Sequence, residues 1–519
     1  MGETFDDLRG FMAHLEARGE LVRVRQEVDP ELEVNAILDR LARSKGPAVL
    51  FERVKGSSIP VFGNAFGTFS RVSRAFGTED FGKLVEAGAD KVFAALSGET
   101  REFLLGLRAK GIRTKFQKLK KVFKSPEVVG NLLQLGKGSA VLPVETARSA
   151  CPCKQVILKR DEIDLDAFPL LKLWPGDGGR FITLPLITTR DPVTGDLNLG
   201  IYRMMKLTKR SLCMHWLPQK HGNLHYGKAE KMGRELPVAV SIGGDPALEV
   251  AGSFQLMPPL DEFMIAGLLR GRPVTVARAE DSDLWVPAGA EIVFEGVVRP
   301  GERADEGPFG EFHGYYSPVK QTPVFHVEKV TMRRDPIWHA ATTGPPPTEI
   351  HNFTRAMERV GLVIAKQFFP GLVDFNLTVE SGTLYTMIAS MNKTRPFEAQ
   401  ELMHFLWSVV PQNTYVTNLI VVDADIDIRD LGQVLWAVSI HLRPDRDVMI
   451  TPPGMADMEK PSTFPRGVGA KMGLDATTKW PEEGLLRPMP ERVRMDRDVE
   501  SRVERNWEAY GFPNPGIRR

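Results

Sequence analysis

The sequence predicts an α/β protein of several domains with a β-rich middle, and three observations carry that reading. Its 519 residues are enough for about three domains at roughly 150 residues each. The beginning alternates helical stripes with short strands, and residues 150 to 330 are mostly strand-like runs broken by Gly, Pro and Asp. Beyond 330, apolar runs alternate again with helical ones, the texture of a second α/β unit.

Taken in order, DDLRGFMAHLEARG spaces Leu8, Phe11, Met12 and Leu15 as one helical stripe, with Gly19 as its stop. ELVRVRQEV alternates as a strand, PELEVNAILDRLARSKG returns to helix, and AVLFERV and IPVFGNAFG read as short strands. Residues 71 to 109 read as mostly helical. The basic run 111–127, with Lys115, Lys118, Lys120, Lys121 and Lys124, fits a solvated helix face or a contact with an anionic ligand or neighbouring subunit. In the middle, FITLPLITTR, VSIGG, PVTVARAE, AEIVFEGVV and FHVEKVTMRR are strand-like, and LDEFMIAGLLRG is one helical interruption. A barrel or compact mixed sheet fits that pattern. In the last part, apolar runs such as LVIAKQFF and YVTNLIVVDADID alternate with the helical AQELMHFLWSVV and LGQVLWAVSIHL. Asp423, Asp425, Asp427 and Asp430 read as a strand end with turn and helix-capping aspartates, because a calcium loop would need a mid-loop Gly and a terminal Glu.

Composition removes several classes of function. Lys and Arg number 67 against 66 Asp and Glu, so no field over the whole molecule recruits nucleic acid. No run approaches the roughly 18 apolar residues of a membrane span. The acidic N-terminus lacks the layout of a secretory signal, and Asp6 stands where myristoylation of Gly2 would want Ser or Thr. A cytoplasmic location is expected. Cys151, Cys153 and Cys213 are too few for a disulfide framework, and the one-residue gap in Cys151-Pro-Cys153 is too tight for the usual metal or redox spacing.

Unusual polar residues concentrate between 198 and 315. In the strand-like Asn198-Leu-Gly-Ile-Tyr-Arg203, Asn198, Gly200 and Tyr202 share one face and Arg203 points to the other. Asn offers a neutral oxygen ligand and Arg a rigid fork for a carboxylate or phosphate, although an ordinary strand accounts for them as well. His221 and His225 lie four apart, but Gly222 and Gly227 argue against a clean helix there, so at most one is expected as a ligand. Asp261 suits a helix N-cap, while Glu262 could face a metal with Asn198 and one histidine; such an N/O set suits Mn, Fe or Mg. Glu306-Gly-Pro-Phe-Gly-Glu311 places two glutamates five apart around a stiff turn, followed by Phe312, His313 and two tyrosines. Carboxylates in a partly apolar cavity can carry protons. Further on, His339 and His351 fall in a strand and a Pro-rich loop, and GAKMGLDATTKW, with Lys471, Asp475 and Lys479, reads as a loop over a site or against a neighbour.

These pieces, in the order NLGIYR, LDEFMIAGLLRG, AEIVFEG, EGPFGEFHGYY, VVDADID and GAKMGLDATTKW, resemble the UbiD family of prenylated-FMN-dependent reversible decarboxylases over nearly the whole chain. The resemblance implies an N-terminal α/β domain (1–125), a central flavin-reductase-like split β-barrel holding cofactor and metal (126–330), a C-terminal α/β oligomerisation domain (331–490) and a tail (491–519). It implies non-oxidative decarboxylation of an aromatic or α,β-unsaturated acid or its CoA ester, with Arg203, Glu306 and Glu311 as the catalytic set. Asn198, His221 and Glu262 would hold a divalent metal, Mn²⁺ foremost and Fe²⁺ or Mg²⁺ otherwise, with K⁺ nearby; Asn198, Ile201, Arg203, His221 and Lys393 would contact the cofactor. Lys220 stands where some members have Gln. Implied partners are the acid, CO₂, a flavin prenyltransferase as cofactor supplier, and further copies of the chain in a homodimer or homohexamer. The competing expectations are a conventional FMN oxidoreductase and a subunit of a multi-component aromatic carboxylase.

Overall fold

The computed structural model describes residues 2–95, 142–254, 261–409, 415–457, 460–463, 467–484 and 489–512. The basic run 111–127 and the end of the helical stretch expected over 71–109 lie outside the described residues.

The first helix, Leu8–Ala17, buries Leu8, Phe11, Met12 and Leu15 as the stripe requires, and Asp7 caps it by accepting from the Gly10 N–H. Helix Glu33–Arg43 follows. Strands Leu21–Val24, Ala48–Phe51 and Val61–Gly63 form a sheet whose fourth strand is Trp338–Ala340, paired parallel to Val61–Gly63. A strand expected in the C-terminal unit therefore completes the N-terminal sheet.

The centre is a nine-stranded sheet. Its spine is the antiparallel pair Ile292–Glu306 and Lys320–Met332, the two longest strands, closed at one end by the pairing of Glu306 with Lys320. On one side the order continues through Leu236–Ile242 and Leu186–Arg190 to the edge strand Leu197–Ile201, and on the other through Ser211–Met214 and Met204–Thr208 to Phe181–Ile182. Val156–Lys159 pairs off this path with Lys320–Met332. The strand-like segments of the sequence reading lie in this sheet, except PVTVARAE, whose strand Thr275–Arg278 belongs to a separate three-stranded sheet.

Among the described residues three α-helices interrupt this region rather than one: His221–Lys231, Pro246–Ala251 and Glu262–Arg270. The first corrects the expectation, drawn from Gly222 and Gly227, that no clean helix forms there. Each glycine costs a helix about 1 kcal/mol against alanine, but burial of His225, Tyr226 and Ala229 holds this one in place. Gly222 is required by packing, because a Cβ there would lie 2.6 Å from Trp216 Nε1.

The C-terminal five-stranded sheet runs Leu372–Leu377, Thr386–Met391, Asn418–Asp423, Met472–Ala476, Val448–Ile450, with the three inner strands parallel. LVIAKQFF falls inside helix Ile350–Phe368, which also carries His351 in its first turn. The run is helical rather than a strand, with Leu362 and Ala365 buried and Ile364 exposed. Asp430 caps helix Leu431–His441, accepting from the Gly432 and Gln433 N–H groups, as the aspartate pattern predicted. GAKMGLDATTKW contributes the inner strand Met472–Ala476, and its Lys479 pairs with Asp475 at 2.8 Å inside the domain. Among the described residues no helix is long and apolar enough to cross a membrane.

Candidate active site

Arg203 and His215 stand at the open end of one hairpin. Met204 pairs with Met214 as the last rung between Met204–Thr208 and Ser211–Met214, and the His215 N–H donates to the Arg203 carbonyl at 3.3 Å. Glu306 ends the long central strand, and Glu311 lies in the loop that the strand feeds. The fold thus gathers the three expected catalytic residues from two hairpins.

Arg203 donates through Nε to Glu306 Oε1 at 2.9 Å and through Nη2 to Glu306 Oε2 at 3.3 Å, while Nη1 meets Glu311. Nη2 also reaches Ser317 Oγ at 3.4 Å. The guanidinium lies over the Phe309 ring, 4.5 Å from its centroid, and Phe309 packs on Phe181 with centroids 4.6 Å apart. Glu306 is fully buried, and Arg203 and Glu311 are nearly so. Burial alone would raise the Glu306 pKa, but Arg203 and a hydrogen bond from His215 outweigh it and hold the carboxyl down at about 2. Glu306 is therefore an anion throughout the working range.

The loop carrying Glu311 is fixed from both sides. Asp177 Oδ1 accepts from the Gly310 N–H at 2.9 Å, while its other oxygen accepts from the Leu173 and Trp174 N–H groups. The Phe309 N–H donates to Ser317 Oγ at 3.1 Å. A Cβ on Gly310 would lie 2.2 Å from Trp174 Cδ1, so only glycine lets the indole lie against the loop.

The second expected group forms around Tyr202. Asn198, buried on the edge strand, donates to the Tyr202 hydroxyl at 3.4 Å, and the Tyr202 ring meets Trp216, whose indole lies against Gly222. This brings the start of the His221 helix against the strand. Glu262, behind the Asp261 cap, accepts from the Leu199 N–H at 2.9 Å. Asn198, His221 and Glu262 thus come from three elements joined by direct contacts. Burial, with Asp261 adding repulsion, pushes the Glu262 pKa well up, and a bound cation would favour its charged form. Burial and Lys220 push His221 down, which favours the neutral, ligating imidazole. One amide oxygen, one imidazole nitrogen and one carboxylate suit a hard divalent cation, so the residues fit the expected metal. Among the described residues no three His, Cys, Asp or Glu side chains form a metal cluster, and this set, with its asparagine, holds only two of those types.

Ile201 is half-buried and packs against the N-terminal core. Lys393 does not stand open toward a phosphate: its amine donates to Thr477 Oγ1 at 3.1 Å, the Thr478 carbonyl at 2.6 Å and Glu483 at 2.7 Å. These use all three of its donors. His225 is buried, with its Nδ1 3.0 Å from Thr189 Oγ1 and its Nε2 3.9 Å from Asp191 Oδ2. The residue that sequence reasoning missed is His215. Its one available signal was a histidine directly after an apolar strand and six residues before His221.

Three family models, described as the N-terminal, Rift-related and C-terminal domains of 3-octaprenyl-4-hydroxybenzoate carboxy-lyase, match residues 12–89, 144–346 and 351–476. The chain belongs to the UbiD family. An uncharacterized Archaeoglobus fulgidus protein is 39% identical over 505 residues, 97% of this chain and 98% of that one. Vanillic acid decarboxylase from Sedimentibacter hydroxybenzoicus, in its closed form, aligns with a TM-score of 0.84 at 27% identity, covering 98% and 100% of the two chains. The UbiD-class enzyme HmfF from Pelotomaculum thermopropionicum, in complex with FMN, aligns at 0.75 and 31%, covering 95% and 98%. As a UbiD member the chain is a carboxy-lyase that uses prenylated FMN for non-oxidative, reversible decarboxylation of an aromatic or unsaturated acid. Its nine-stranded sheet is the split-barrel core between two α/β domains.

Proposed function

We propose that this UbiD enzyme acts on an aromatic carboxylic acid, with Arg203, Glu306 and Glu311 as its catalytic set. The observation that carries the proposal is the buried Arg203 fork held between two glutamates over Phe309. Similarity over whole chains to a vanillic acid decarboxylase favours a ring-bearing acid, free or CoA-linked.

Prenylated FMN, when bound, supplies the electron sink that loss of CO₂ from an sp² carbon requires. Arg203 orients the substrate carboxylate, for which its planar fork is suited. Glu306, ionised throughout, keeps that guanidinium fixed and balances its charge. Glu311, which is buried, returns a proton to the carbon that has lost CO₂. Asn198, His221 and Glu262 would hold the divalent cation, Mn²⁺ foremost, that neutralises the cofactor phosphate, with K⁺ alongside. A flavin prenyltransferase supplies the cofactor. Exposed Leu435, Trp436 and Ile440 on helix Leu431–His441 support assembly of copies through the C-terminal unit, as a dimer or hexamer.

Protein produced together with a flavin prenyltransferase is expected to absorb as a flavoprotein and to release CO₂ from at least one member of a panel of aromatic acids and their CoA esters. Stoichiometric NAD(P)H oxidation without CO₂ release would contradict the proposal and favour a conventional FMN oxidoreductase.

A further inference from the structure

We propose that His215 is a positioning residue of this active site, whose ring N–H holds Glu306 in place as the counter-charge of Arg203. The inference rests on the catalytic reading of Arg203, Glu306 and Glu311 and extends it to a fourth residue.

The ring of His215 is buried, and Nδ1 lies 3.0 Å from Glu306 Oε2. An ionised carboxylate can only accept hydrogen bonds. With Glu306 held at about 2, Nδ1 therefore carries the hydrogen whether the ring is neutral or charged. The resulting line is His215 to Glu306, Glu306 to Arg203, and Arg203 to Glu311.

A second tie makes the arrangement more than a side-chain contact. The His215 main-chain N–H donates to the Arg203 carbonyl at 3.3 Å, so the residue fixes Arg203 through both its backbone and the carboxylate Arg203 binds. Cys213, two residues earlier on the same strand face, is pushed up to about 11 mainly by burial and remains a neutral thiol. Arg203 and His215 are then the groups that stabilise the Glu306 charge. A carboxylate deprived of one of two such donors can rotate. Arg203 would follow it, moving the fork away from the substrate carboxylate and from Glu311.

The test compares His215→Phe, His215→Asn, His215→Gln, Glu306→Gln and the His215→Phe/Glu306→Gln double variant, all as holoenzyme. Misplacement of the fork is expected to lower kcat of His215→Phe by roughly 10- to 100-fold, with KM much less affected. Asn, whose amide nitrogen occupies the place of Nδ1, is expected to restore most of the loss, and Gln, whose nitrogen lies further out, to restore less. Because His215 acts through Glu306, the double variant should be no slower than Glu306→Gln alone. Denaturant unfolding of the same cycle reads the His215–Glu306 coupling without turnover. Wild-type kcat in His215→Phe, losses that multiply in the double variant, or zero coupling in unfolding would each overturn the inference. If His215→Phe does not fold, the Asn and Gln pair carries the comparison: equal kcat in the two overturns it. A wild-type enzyme that releases no CO₂ from any acid contradicts the proposed function instead, and the unfolding cycle still decides the role of His215.

Discussion

Arg203 is a buried cation whose presence depends on the carboxylates around it. A buried ion pair is strongly destabilised when one partner alone is removed, because the other charge is left uncompensated. Glu306→Gln is therefore expected to lower stability at neutral pH by about 3–5 kcal/mol. The sign with pH follows from the depressed carboxyl. Folding lowers the Glu306 pKa from 4.5 to about 2, so its contribution is fully present above 4.5 and is lost as the pH falls toward 2. Denaturant unfolding at several pH values should show the gap between wild type and Glu306→Gln narrowing through that window. A gap that stays constant would mean that the carboxylate charge is not what the site stabilises. The glutamates and the arginine were legible in the sequence because EGPFGE sets two carboxylates around a stiff turn and NLGIYR offers one arginine. Their mutual contact was not, since it depends on two hairpins roughly 100 residues apart meeting at one end.

Helix His221–Lys231 shows what local pattern alone misses. Two glycines in eleven residues argue against helix by propensity, yet the segment is helical because its buried face packs on the sheet and because Lys228 pairs with Asp191. The two glycines then differ in meaning. Among the described residues nothing lies within 4 Å of where a Cβ on Gly227 would stand, whereas a Cβ on Gly222 would strike Trp216. Gly227→Ala is expected to stabilise the protein by roughly 0.5–1 kcal/mol. Gly222→Ala is expected to destabilise it by roughly 1–3 kcal/mol and to weaken divalent-metal binding by shifting His221. Paired unfolding curves and metal titrations check both, and equal effects at the two positions would contradict this packing. The aspartates at 423–430 went the other way. Their turn and cap chemistry is local, so Asp430 was legible as a helix cap without knowledge of the fold.

Across the whole molecule, the centre holds the proposed catalytic residues and the flanking domains pack around it. Phe312, next to Glu311, stacks on Tyr385 of the C-terminal domain at 5.9 Å and meets Tyr415 at 6.1 Å, so that domain packs directly on the loop that carries Glu311. Strand Trp338–Ala340 ties the N-terminal sheet to the chain beyond the barrel. The three-unit plan was legible because strand and helix periodicities change along the chain. The 338–340 crossover was not, because parallel pairing between segments so far apart in the chain leaves no local trace. Lys393 shows the same limit: a lysine in a motif says nothing of Glu483, which takes its charge. In the proposed reaction Glu311, held by the central loop and covered by the C-terminal domain, returns the proton. The most direct measurement is CO₂ release by cofactor-loaded wild type and Glu311→Gln on an acid the wild type accepts, with cofactor loading matched by flavin absorbance. The expected result is a loss of about 10²- to 10⁴-fold in turnover at equal loading. Glu311→Gln turning over at the wild-type rate would contradict the account.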